Sequence, residues 1–342
     1  MESESMDKIA YIYGETFLYW NSIILSLAVA ASVCVFLFLY LRERYNGLSA
    51  ALLIPSCMAA SLFLSRAMHW YCMANAYESL HGALTTFTGG GYALMGVFAG
   101  CALVAGLLRL LGIVKNLPFV FDCMALAGGV GIAVGRLACL YTTADRGPVM
   151  ESIRSLPLVY PVENPVTGVV EWRFATFMIQ AIVTGLIIAV LLVFYLAGQR
   201  GRDHKLRDGD TACLWLCAYG ASQVVLDSTR YDSLFMRSNG CISIVQILGA
   251  VALVGTIIYF SVRMVKARGF KWWYICLWLV YGGCVGGAGF MEYWVQRHGD
   301  QALFSYSVMT VCLIGLVAIT CVVRLLAVTM ERKKQMVESA EI

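Results

Sequence analysis

Blocks of about 20 apolar residues recur nine times along this chain of 342 residues, at about 17–41, 48–69, 90–111, 119–141, 174–198, 211–229, 241–263, 272–294 and 304–328. As a helix, about 20 residues cross the hydrocarbon core of a bilayer. Backbone N–H and C=O groups find no water there, so only helices and closed barrels can span it. The runs are unbroken and show no alternation of period two, which excludes a barrel. Composition agrees, with 60% of residues hydrophobic and 13% charged, against roughly a quarter charged in a soluble domain. The sequence therefore predicts an all-α polytopic membrane protein.

Lys and Arg in the connecting segments set the orientation. Of the 25 basic residues, 16 fall on one side: Arg42, Arg44, Arg109, Lys115, Arg200, Arg202, Lys205, Arg207, Arg263, Lys266, Arg268, Lys271, Arg324, Arg332, Lys333 and Lys334. That side is expected to be cytoplasmic, with the N-terminus outside and the C-terminus inside. An acidic N-terminal tail (Glu2, Glu4, Asp7, Glu15) suits translocation, and a cleavable signal peptide is not expected. Divided this way, the net charge of +4 reflects topology and contact with anionic lipid. No nucleic-acid partner is expected. The 13 cysteines show no C-x-x-C pair and no paired histidine spacing. They are expected to pack as small apolar residues, so neither a metal nor another cofactor is anticipated.

The longest polar insertion, about 142–173, holds four of the six prolines and is expected to be an external arm or lid. Small residues at four-residue spacing (Gly96 and Gly100, Gly131 and Gly135) and the run from Gly282 to Gly289 are expected to let helix backbones approach.

Ionisable residues inside apolar spans are expensive, and each is a functional-site hypothesis. Arg136 closes the glycine-rich fourth span, Arg66 lies near the end of the second, and Asp227 and Arg230 occupy the expected last turn of the sixth. In the predicted topology all four share the outer leaflet layer. Asp227 and Arg230, three apart, would lie on one helix face. An arginine there can reach the headgroups or pair structurally with Asp227. Its planar, permanently charged fork also suits phosphate, so a cluster at headgroup depth would hold an anionic phospholipid.

These residues resemble the prolipoprotein diacylglyceryl transferases of bacterial inner membranes. Ser65-Arg66 is similar to that family's Ala-Arg, and Gly89–Gly100 to its G-G-x-x-x-H-G-G-x-x-G motif. Leu117-Pro118, Asp122 and Gly135-Arg136-Leu-Ala-Cys139 resemble its L-P…D…G-R-x-G-N signature, with Gly147 at the spacing of a further signature glycine. Tyr219-Gly220-Ala-Ser-Gln223-Val-Val-Leu-Asp227-Ser-Thr-Arg230 is similar to Y-G-x-x-R-x-x-x-E-x-x-R, and Gln246 opens a run similar to the family's last helix. The resemblance covers about 17–263. It implies a seven-helix core after an external tail at 1–16, with two additional C-terminal transmembrane helices and a basic tail in 264–342.

The activity implied is transfer of a diacylglyceryl group from phosphatidylglycerol to the thiol of a lipobox cysteine in a prolipoprotein. The candidate catalytic residues are Arg136, the central phosphate anchor, with Arg66, Tyr219 and Asp227. The candidate substrate-binding residues are Arg230, Gln223, Gly147, Cys139, Met95 and His69. Four positions depart from the family pattern: Met95 stands for the motif histidine, Gln223 for an arginine, Cys139 for an asparagine and Asp227 for the longer acid. His69, His81 and Glu78 are alternative polar groups nearby. Two other readings remain open: an inactive scaffold that binds lipid or lipoprotein, and a transporter built around the glycine-interrupted eighth span.

Overall fold

The computed structural model describes residues 8–13, 16–43, 45–85, 90–150, 158–164, 167–199, 207–236, 239–297 and 302–340. Of the positions named above, Glu2, Glu4, Asp7, Glu15, Arg44, Gly89, Arg200, Arg202 and Lys205, and parts of the arm 142–173, lie outside the described residues. Among the described residues, seven helices are long and apolar enough to cross a membrane. They begin with α1 (Trp20–Arg42) and α2 (Gly47–Cys72), followed by a six-residue helix α3 (Leu80–Thr85) and α4 (Leu94–Leu110). The chain continues through α5 (Leu117–Arg136), α6 (Thr176–Gln199), α7 (Asp210–Ser228), α8 (Ile244–Arg268), α9 (Trp273–Arg297) and α10 (Ala302–Ala340).

Two of the nine expected spans fall short of that standard. The third, α4, has 17 residues because its chain leaves the helix at Ala93, after Gly90 and Gly91 adopt φ of +79° and +81°. The sixth, α7, is interrupted by Gly220, Ser222, Gln223 and Asp227 and is too polar over its length. The N-terminal tail is also more ordered than a tail: β1 (Ile9–Tyr13) and β2 (Thr16–Tyr19) form an antiparallel hairpin that leads into α1.

The chain forms two compact units. The first comprises Met1–Ala212 and Thr229–Ile244. Here the glycine spacings act as expected. A Cβ on Gly96 would lie 2.4 Å from the Ser65 Cα, and one on Gly100 would lie 2.8 Å from the Ser61 amide, so α2 and α4 touch through backbone. Gly131 and Gly135 likewise face Ser32 and Ala28 of α1. Asn116 caps α5, with Pro118 in the first turn. Buried Asp122 accepts the backbone amides of Gly209 (2.7 Å) and Ala212 (2.6 Å), a cap on the start of α7 from another helix. The arm folds into a second hairpin, β3 (Val159–Glu163) with β4 (Val170–Phe174), and β5 (Phe235–Met236) pairs with β6 (Asn239–Ser243) beyond α7.

The second unit comprises Cys213–Ser228 and Val245–Ile342. Gly220 and Gly249 bring α7 and α8 together, since a Cβ on Gly249 would lie 2.7 Å from the Gly220 oxygen. Trp278 Nε1 donates to Ser261 Oγ (3.0 Å) and Tyr281 Oη to the Leu253 oxygen (3.0 Å), which ties α9 to α8. The glycine run of α9 differs from expectation. Gly282, Gly283, Gly286 and Gly289 have open space where a Cβ would go, and only Gly287 of that run packs, against Cys312 of α10.

Candidate functional site

Arg136 is the last residue of α5, and the helix tightens beyond it into a 3-10 turn, Leu137–Tyr141. A cation there complements the carbonyl end of the helix. The chain then bends at Asp145, whose φ of +56° makes it the only non-glycine residue in left-handed backbone among the described residues. Asp tolerates that region better than most residues, and such strain clusters at functional sites.

Asp145 is the hub of the site. Its Oδ2 accepts from Arg136 Nη1, and its Oδ1 accepts from Arg230 Nη2 at 2.6 Å. Cys139 Sγ donates to Oδ2 at 3.3 Å. The ring closes through Asp232, which accepts the Asp145 amide at 2.9 Å and Arg230 Nε at 3.1 Å. The side chains of Arg136, Arg230 and Asp145 are largely buried, at 15%, 12% and 9% exposure. Burial alone pushes the Asp145 carboxyl up, but Arg136 and Arg230 outweigh it and hold the group below the ordinary carboxylate value. Asp145 is thus an anion at neutral pH, an orienting group rather than a proton acceptor.

Arg230 corrects the expectation for its neighbourhood. Helix α7 ends at Ser228, so Arg230 lies beyond it and shares no helical face with Asp227. Its acids include Asp145 and Asp232, neither of which was singled out from sequence. Gly147 earns its place by packing. A Cβ there would lie 2.7 Å from Thr176 Oγ1, and its amide donates to the Phe174 oxygen at 2.7 Å.

Arg66, 2% exposed, occupies a second polar nest. Its Nε donates to the Ala83 oxygen at 2.9 Å, and Nη1 to the oxygens of Gly90 and Gly91 and to Tyr77 Oη at 3.2 Å. Tyr77 Oη lies 2.8 Å from His69 Nδ1, so Arg66, Tyr77 and His69 form one hydrogen-bonded chain. Gly91 closes over it, since a Cβ there would lie 2.2 Å from Tyr77 Oη and 2.9 Å from Arg66 Nη1. Met95, in the first turn of α4, is buried without a polar group to offer.

Tyr219, Gln223 and Asp227 repeat every four residues on one face of α7, in the second unit, and all three are buried. Tyr219 stacks on Trp215 with centroids 4.8 Å apart, and Gln223 Nε2 donates to Ser222 Oγ at 3.4 Å. Within the first unit the structure therefore joins Arg136, Cys139 and Arg230 through Asp145, and Arg66 with His69 through Tyr77. A further arginine, Arg146, is buried two residues beyond Ala144, and only its place beside the signature glycine hinted at it in the sequence.

The sequence model of the prolipoprotein diacylglyceryl transferase family matches residues 8–262. No curated protein matches the chain.

Proposed function

This chain belongs to the prolipoprotein diacylglyceryl transferase family, and from that premise we propose that it binds a phosphatidylglycerol-like anionic phospholipid beside Arg136. It then transfers the diacylglyceryl group to a thiol, that of a prolipoprotein lipobox cysteine. The setting is the outer leaflet of a bacterial inner membrane, with the N-terminus outside and the C-terminus cytoplasmic. The observation that carries the reading is the pair Arg136 and Arg230 held on one buried carboxylate. Two planar, permanently charged guanidinium forks are thereby held at one place, and phosphate oxygens match their geometry and charge.

In the reaction the thiol sulfur forms a bond to the glyceryl carbon while that carbon's bond to the phosphate oxygen breaks. Glycerol phosphate leaves with the electron pair, and the thiol proton goes to a base. Arg136 and Arg230 stabilise the charge that gathers on the departing phosphate. Asp145 keeps both forks oriented and is too acidic to take the proton. His69, joined to Tyr77 and so to Arg66, is the proton acceptor in this reading, in place of the histidine that Met95 replaces.

The test is incubation of the purified chain with phosphatidylglycerol and a lipobox peptide. The expected result is a peptide heavier by one diacylglyceryl group, and no such product from Arg136→Ala. Met95 and Gln223 favour a second reading, a scaffold that binds lipid or lipoprotein and has lost the chemistry. Selective lipid binding with no thioether product would decide for it.

A further inference from the structure

Four arginines crowd the loop that follows α5, and three of them already face acids. Arg136 and Arg230 meet on Asp145, Arg230 also meets Asp232, and Arg173 holds Glu171 at 2.6 Å. Arg146 differs. It is 2% exposed, and its Nη2 donates to the oxygens of Cys139 (3.0 Å), Leu140 (3.3 Å) and Thr142 (3.2 Å), pinning the end of the 3-10 turn. Its guanidinium lies over the Phe177 ring, 4.6 Å from the centroid. Among the described residues neither Nε nor Nη1 has a hydrogen-bond partner. Among the described residues, the titratable groups that act on its charge are Cys139, Tyr231 and Tyr160, and none of them is a carboxylate.

A guanidinium does not shed its charge at physiological pH. Burying it costs free energy unless an anion or further acceptors compensate. The loop that carries it is fixed on every side: Gly147 N donates to the Phe174 oxygen, Phe174 N to the Pro148 oxygen, Phe177 N to the Asp145 oxygen and Tyr231 N to the Arg146 oxygen. The cation is therefore held in place beside the Asp145 hub, with no acid of its own among the described residues.

We propose that the unpartnered N–H groups of Arg146 receive an oxygen of a phosphate, making it a further anion contact next to Arg136 and Arg230. The assignment rests on the phospholipid reading above and adds a residue to that site. The phosphate belongs either to the lipid headgroup or to glycerol phosphate, the soluble product.

The experiment uses the full chain in phosphatidylcholine nanodiscs. Binding is measured for phosphatidylglycerol placed in the disc and, separately, for soluble glycerol phosphate. Arg146→Lys keeps the charge and loses the fork. Arg146→Gln keeps donors for the three carbonyls and loses the charge, and it serves if the lysine variant fails to melt cooperatively. Each is expected to bind about tenfold more weakly than wild type, the loss of one charge-assisted hydrogen bond. Weakening for both probes assigns the contact to the phosphate itself, and weakening for the lipid alone assigns it to the headgroup held in the bilayer. Wild-type affinity in both variants, with Arg136→Lys weakened, overturns the assignment, makes Arg146 a capping residue only, and leaves the phospholipid reading intact. A wild-type chain with no preference for phosphatidylglycerol over phosphatidylcholine fails the reading itself and takes the assignment with it.

Discussion

Arg230 Nη2 donates to Asp145 Oδ1 at 2.6 Å, and the other oxygen of the same carboxylate holds Arg136. Two cations that would repel each other are thereby locked together by a residue from a different stretch of chain. Removing the carboxylate takes a buried acid from both cations at once, and breaking such a pair costs about 3–5 kcal/mol. Asp145→Asn is therefore expected to lower the unfolding midpoint sharply, measured in lipid discs by differential scanning calorimetry. An Asp145→Asn protein as stable as wild type would mean that the hub does not hold the loop.

The acid limb of the stability profile follows from the same group. The folded carboxyl titrates below its unfolded value, so its contribution is present above the unfolded value of about 3.9 and is lost as pH falls from there through the folded one. Wild type should lose stability over that acidic window. Asp145→Asn should lose less over the same window, because it no longer has that proton to take up. Unfolding midpoints of the two proteins between about pH 3 and pH 7 would read this directly, and parallel curves would contradict it.

The frame was legible in sequence because bilayer physics leaves few alternatives. Apolar runs, the glycines at 96, 100, 131 and 135, and the charge at Arg136 each predict a consequence that local pattern can carry. The hub was not legible. Asp145 sits in a polar loop where an acid attracts no notice, and its partner Arg230 is distant in sequence, so only the fold shows the pair. Arg230 lies beyond the helix that the 3.6-residue period predicts for it, because α7 stops at Ser228. The hairpins were hidden for a related reason: Val159–Glu163 and Val170–Phe174 are short beside the helical runs that dominate the composition.

Gly91 makes a paired test of the Arg66 nest. Gly90→Ala has open space around it, so only the positive φ counts, at about 1–2 kcal/mol. Gly91→Ala carries the same strain and also drives a methyl group into Tyr77 Oη and Arg66 Nη1. Transfer activity should survive the first substitution and fall at least tenfold in the second. Equal activities would show that the packing of Gly91 on the nest does not matter for the reaction.

His69 separates chemistry from binding. If it takes the thiol proton, His69→Gln should slow transfer by about a hundredfold or more, while phosphatidylglycerol binds as in wild type. Single-turnover rates and lipid affinity measured on the same preparation distinguish the two effects. An unchanged rate would remove His69 from the reaction and leave the proton acceptor elsewhere.

The most direct measurement is native mass spectrometry of the full chain released from discs of mixed phosphatidylglycerol and phosphatidylcholine. The account predicts one phosphatidylglycerol retained in preference to phosphatidylcholine, and loss of that preference in Arg136→Ala and Arg230→Ala. Retention of both lipids alike, or a preference that neither substitution touches, would contradict it.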